Sequence, residues 1–176
     1  GKDLGLLQDF YKRGVRMAGP VHSSNNQFAD SSGDTPKWNG LSPLGREWVK
    51  EMNRLGMVID GSHASDTAFD QLVALSKTPL ILSHTSPKAV SDLPRNLDDA
   101  RIRKLAESGG AICVSTIFLA PMNLPPEKAE LFGKLDYIGE MTPSEQAEFI
   151  KAWNALEKSE PLWAVDFEKY MAAVLH

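Results

Sequence analysis

Three of the four histidines in this 176-residue chain stand where a parallel sheet would concentrate chemistry. His63 follows Met57-Val58-Ile59-Asp60-Gly61-Ser62, and His84 follows Leu80-Ile81-Leu82-Ser83. Each apolar run reads as a short parallel strand with its histidine at the C-terminal end. The two are 84 − 63 = 21 residues apart, about one compact helix-plus-strand unit. Adjacent parallel strands lie roughly 4.8 Å apart, so both imidazoles can converge on one metal ion. Two neutral imidazoles suit zinc and similar borderline metals. His22 follows a third run, residues 15–21, and joins the same rim, whereas His176 is the last residue and carries no signal. Spacing alone leaves two readings open: ligands of one ion, or ordinary loop histidines.

The elements that must hold these residues follow from periodicity. Helical patterns alternate with β-rich runs, as in α/β proteins with a parallel sheet. Residues 4–13 read as a helix with Leu6, Leu7, Phe10 and Tyr11 on one side. A polar loop of Ser, Asn, Asp and Gly spans residues 22–40, and so long a connection has a functional reason in a compact domain. Ser42-Pro43 starts a helix, Leu44, Trp48, Met52 and Leu55 line one face of it, and Gly56 ends it. Ser65 caps a helix packed through Phe69, Leu72 and Val73. Asp98 and Asp99 suit the first turn of the next, which faces Ile102 and Leu105 inward. Residues 110–117 form the most β-like run, with Cys113 expected in the core.

Beyond Pro121 the alternation stops. Residues 124–140 suggest a helix broken near Gly133, Thr142-Pro143-Ser144-Glu145 is a capping box, and Trp163, Phe167, Tyr170 and Val174 mark a final helix. The expected organisation is one domain, with βα units over 1–120 and a mostly helical excursion over 121–176.

Composition narrows the function classes. With 42% hydrophobic and 24% charged residues the chain has an ordinary globular mix, which excludes a disordered tail or a fibre. Nineteen basic against twenty-three acidic residues give a net charge of −4 without a basic stripe, so nucleic acid is not an expected partner. No apolar run reaches the roughly 20 residues of a membrane helix. The single cysteine cannot form an internal disulfide. The ends, with no initiator Met and a stop inside a helical pattern, read as a segment of a longer chain, and nothing points to a compartment.

The quoted residues carry a family resemblance. Gly40-Leu41-Ser42-Pro43-Leu44-Gly45, then Glu51-Met52-Asn53-Arg54-Leu55-Gly56-Met57-Val58-Ile59-Asp60 and Ser62-His63-Ala64-Ser65, resemble the membrane (renal-type) zinc dipeptidases and their bacterial relatives. Ser83-His84-Thr85-Ser86, Pro94-Arg95-Asn96-Leu97 and Gly109-Gly110 continue the match in order, over about residues 1–117. The resemblance implies a (β/α)8 TIM-like barrel of the metal-dependent hydrolase type, here a central portion with about four strands. It implies two zinc ions, of which His63 and His84 would ligate one. His22 would bind substrate and stabilise the tetrahedral intermediate as a catalytic residue. Arg95 would hold the substrate's terminal carboxylate, which a planar guanidinium grips bidentately. Asn26 and Asp30 are given no role beyond shaping their loop. The implied partners are a dipeptide and, in a homodimer, a second copy of the chain.

The sequence also departs from that pattern. The family's His-x-Asp pair and bridging glutamate have no counterpart here and are expected before Gly1, and its acidic general acid/base after His176. Asp166-Phe167 imitates that last motif but sits on the amphipathic stripe of the final helix. The approach to His22, Ala18-Gly19-Pro20-Val21, lacks the family's usual threonine. One ligand pair alone predicts weak zinc binding and an inactive isolated segment. Two further readings stand beside the dipeptidase: a related metal-dependent amidohydrolase acting on another amide or lactam, and a non-catalytic fragment or split-chain half.

Overall fold

The computed structural model describes residues 3–120, 122–162, 165 and 167–176. Trp163 and Asp166, expected at the start of the final helix, lie outside the described residues.

The order of elements is α1 (Gly5–Lys12), β1 (Met17–Ala18), α2 (Pro43–Leu55), β2 (Val58–Ile59), α3 (Asp66–Leu75), β3 (Ile81–Thr85), α4 (Asp99–Glu107) and β4 (Ala111–Val114). After these come α5 (Pro126–Lys134), α6 (Pro143–Ser159) and α7 (Phe167–Leu175). The strands are parallel. β1 pairs with β2 through Met17↔Val58 and Ala18↔Ile59, and β3 pairs with β4 through Ile81↔Ala111, Leu82↔Ile112 and Thr85↔Val114. A parallel bridge, Asp60↔Ile81, joins the two ladders, with Gly61 N donating to Ile81 O at 2.9 Å. The spatial order therefore follows the sequence, one helix crossing back between each pair of neighbours. This is an α/β layer of short strands.

Local chemistry sets the helix boundaries. Ser42 Oγ accepts from Gly45 N at 3.0 Å, Pro43 opens α2, and Gly56 closes it at φ 68°, a left-handed conformation that favours glycine. Ser65 caps α3, Asp98 caps α4 by accepting from Arg101 N at 2.9 Å, and Thr142 with Glu145 completes a capping box on α6. Trp48, Val49 and Met52 of α2, Phe69 and Leu72 of α3, and Leu105 of α4 bury themselves on Met57, Ile59, Leu80 and Leu82. Each such side chain contributes about 1.5–3 kcal/mol on burial, so this apolar seam holds the strand ends in place. Arg101 and Lys104 reach Asp70 at 2.8 Å each and tie α4 to α3.

Several expectations are corrected. The strands are shorter than their apolar runs, because ladder pairing covers only two to five residues of each. His84 lies inside β3 rather than after it. Leu6 and Phe10 are exposed, and only Leu7 of the α1 stripe is buried. Cys113 is exposed, because β4 directs Ala111 and Cys113 to its open face. Residues 124–140 resolve into α5 and a 3-10 segment, Leu135–Glu140, so the break falls just after Gly133. Phe167 and Val174 of α7 are exposed. In the C-terminal part Phe149 of α6 and Leu162 are buried, Phe149 stacks on Trp153, and the buried Lys128 of α5 pairs with Glu157 of α6 at 2.6 Å. No helix among the described residues is long and apolar enough to cross a membrane.

Candidate metal centre

The loop before α2 is built around buried acceptors. The Asp30 carboxylate takes backbone N–H groups from Lys37 (2.9 Å), Trp38 (3.0 Å) and Gly40 (2.9 Å). Burial pushes its pKa up, but these backbone donors outweigh it and hold the carboxyl below its ordinary range. Asn26 Nδ2 donates to Pro20 O at 2.8 Å, and its Oδ1 accepts from Phe28 N at 2.7 Å. Ser31 Oγ donates to His22 O at 2.6 Å, and Ser32 N donates to His63 O at 3.0 Å. The loop is thereby fastened to the backbone of two of the three rim histidines. Asn26 and Asp30 do shape it.

The structure brings the three histidines together. His63 Nε2 and His84 Nε2 are 2.9 Å apart, and the rings of His22 and His63 have centroids 4.1 Å apart. Zinc–nitrogen bonds of about 2.0–2.1 Å from two such atoms meet at one point, at an angle of roughly 90° that is tighter than tetrahedral. The pair therefore fits a shared borderline ion as two of its ligands. Among the described residues, no group of three or more His, Cys, Asp or Glu side chains gathers around such a point. His22 stands beside the pair, exposed, with Nδ1 3.0 Å from Ser23 Oγ.

Arg95 lies against the same cluster. Its Nη2 donates to Ser62 O (3.0 Å) and His84 O (2.6 Å), and its guanidinium carbon sits 3.6 Å from the Phe118 ring centroid. Nη1 is 3.2 Å from His63 Nδ1 and 3.4 Å from Nε2. A donor nearly equidistant from both ring nitrogens cannot lie along either lone pair, so it packs against the ring. Burial lowers the Arg95 pKa to about 10. Burial, then the Arg95 charge, pushes His63 down to about 4, and the same causes lower His84. Both imidazoles are thus neutral at pH 7, the form that binds a cation.

Two residues that sequence reasoning missed complete the site. Asp60, at the end of β2, accepts from the hydroxyls of both Ser62 and Ser83, and these bonds keep its pKa low against the opposing effect of burial. Its signal was the Ser-His step shared by Ser62-His63 and Ser83-His84, with a carboxylate before only the first. Phe118 is the platform under Arg95 and carried no periodic signal. A cavity of about 930 Å³ opens over His22, His63, His84, Arg95 and Phe118, large enough for a dipeptide.

Comparison with known proteins gives a consistent result. The family described as "Membrane dipeptidase (Peptidase family M19)" matches residues 1–149. An uncharacterized dipeptidase of Schizosaccharomyces pombe is 39% identical over 136 residues, 76% of this chain and 32% of its own length. The solved probable dipeptidase PvdM from Pseudomonas aeruginosa superposes with a TM-score of 0.72 at 31% identity, over 99% of this chain and 50% of that one. A metallopeptidase from Rhodobacter sphaeroides, solved with a phosphinate mimic of the dipeptide L-Ala-D-Ala, gives a TM-score of 0.63 at 26% identity. It is matched over 96% of this chain and 55% of its own. The chain spans about a third to a half of the length of these relatives.

Proposed function

This chain belongs to the membrane dipeptidase family, and on that premise we propose that it carries the histidine-pair side of a metallodipeptidase site. The observation that supports this most directly is the 2.9 Å approach of His63 Nε2 to His84 Nε2 at the C-terminal ends of neighbouring parallel strands. Barrel enzymes of the (β/α)8 type build their sites on that rim, and sequential parallel strands with helical crossovers suit an arc of such a barrel.

His63 and His84 would hold one zinc ion. When bound, zinc supplies a water acidified enough at neutral pH to attack the peptide carbonyl, and polarises that carbonyl. The chain's own side chains then bind and orient the dipeptide. His22, exposed to the cavity, donates a hydrogen bond to the oxyanion that develops at the scissile carbonyl, an interaction stronger in the transition state than in the ground state. Arg95 is anchored by Nη2 on two backbone carbonyls and by its face on Phe118, which leaves Nη1 to meet the substrate's terminal carboxylate. A longer peptide would put an amide there, so the arrangement favours dipeptides.

The test is zinc content with a substrate panel: dipeptides, L-Ala-D-Ala among them, against lactams and other cyclic amides. Zinc-dependent release of amino acids from dipeptides alone is expected of the whole enzyme, in which the His63 and His84 pair is joined by the rest of the metal site. Turnover of the cyclic amides with dipeptides untouched would overturn the reading.

A further inference from the structure

Asp60 closes a hydrogen-bond path to one of the two ligand histidines. Its Oδ1 accepts from Ser62 N (3.0 Å), Ser62 Oγ (2.6 Å) and Ser83 N (3.2 Å). Three donors on one oxygen hold the carboxylate in its acceptor-only form. Ser83 Oγ therefore gives its single proton to Asp60 Oδ2. The same hydroxyl oxygen lies 2.7 Å from His84 Nδ1, and with its proton committed it can only accept there. His84 Nδ1 must then be the protonated ring nitrogen, which leaves the lone pair on Nε2, the atom facing His63. The backbone is held as well, because His84 N donates to Ser62 Oγ at 3.2 Å.

We infer that Asp60, acting through Ser83, is a positioning residue that locks His84 in its Nδ1–H tautomer and turns the Nε2 lone pair toward the ion shared with His63. This rests on the metal-site reading above and adds to it an asymmetry between the two ligands. His84 has its tautomer set by a carboxylate–serine relay, whereas the neighbour of His63 Nδ1 is Arg95 Nη1, a donor 3.2 Å away. A carboxylate behind a ligating imidazole also raises its basicity as a ligand.

The test is nitrogen-15 NMR of the histidine-labelled full chain at pH 7, which reads the proton position on each ring, together with zinc titration. The parent is expected to show His84 as Nδ1–H. Ser83→Ala should let the Nε2–H form appear and weaken zinc binding by roughly 10–100-fold, and Ser83→Thr should restore both. Asp60→Asn gives an independent sign, because an amide N–H donating to Ser83 Oγ turns that hydroxyl toward Nδ1 and drives His84 to the Nε2–H form. A purely structural role for these residues would lower stability and leave the ring proton where it was. Finding His84 as Nε2–H in the parent overturns the relay. So does Ser83→Ala with both tautomer and zinc affinity unchanged, an outcome that leaves the metal reading intact. An Nδ1–H ring in a chain that takes up no zinc upholds the relay and removes the metal reading instead.

Discussion

Nε2 of His63 and Nε2 of His84 stand 2.9 Å apart, brought together by the Asp60↔Ile81 bridge that joins β2 to β3. Neither ring could be placed by its own strand alone. The register of that bridge decides whether the two lone pairs meet, and the apolar seam of α2, α3 and α4 fixes the register.

Removing either ring should remove the ion. With zinc in excess, His63→Ala and His84→Ala are each expected to lose the ion the pair shares, and the double variant should lose no more than either single one. Elemental analysis of the purified proteins decides the matter. Full zinc content in either single variant contradicts a shared ion.

On the proposed role, Arg95→Ala in the whole enzyme should raise KM for dipeptides far more than it lowers kcat, because the guanidinium would hold a part of the substrate that does not react. Arg95→Lys should recover little, since an ammonium lacks the fork that bridges two carbonyls while facing a carboxylate. Steady-state kinetics separate the cases: equal losses in kcat and kcat/KM would mean the residue acts only in the transition state.

Stability should fall with acidification in two windows. His63 has its pKa lowered to about 4 from an ordinary 6.5, so the unfolded chain binds the proton first. The stability this provides is complete above pH 6.5 and is lost as pH falls from there to about 4. Asp30 has its pKa lowered below 3.8, so its contribution persists above that value and disappears as pH drops through the folded-state pKa. Urea unfolding across pH 7 to 2.5 should show both. His63→Asn is expected to shrink the upper window and Asp30→Asn the lower, while a flat profile between pH 7 and 4.5 in the parent would contradict the His63 assignment.

Gly45 tests the docking of the loop before α2. A Cβ there would stand 2.0 Å from Phe28 O, a backbone atom that cannot yield cheaply. Gly45→Ala should destabilise the fold by about 3 kcal/mol. Gly133 in α5 has nothing within 4 Å of the same construction, and Gly133→Ala should stabilise by about 0.5–1 kcal/mol. Denaturant unfolding of the two variants checks the contrast, and an equal effect in both would show that the loop does not bear on α2 as described.

Much of the site was legible because its signals are local. Ser42-Pro43, Ser65 and Thr142 announce helix starts through their own hydroxyls, and His63 and His84 each follow an apolar run that reads as a strand. What the sequence hid depends on pairing across the sheet. Asp60 is invisible as a partner of Ser83 until the register sets two residues 23 positions apart in contact. Cys113 looked like core because its run is apolar, but which face of β4 is covered depends on what packs there. Leu6 and Phe10 misled in the same way, since an amphipathic stripe states a preference and not the neighbour that satisfies it.

The most direct measurement is anomalous diffraction at the zinc absorption edge from crystals of the zinc-loaded protein. The account predicts a peak within about 2.0–2.1 Å of both His63 Nε2 and His84 Nε2. A zinc-loaded crystal whose anomalous peaks all lie beyond bonding distance of one or both nitrogens would contradict it.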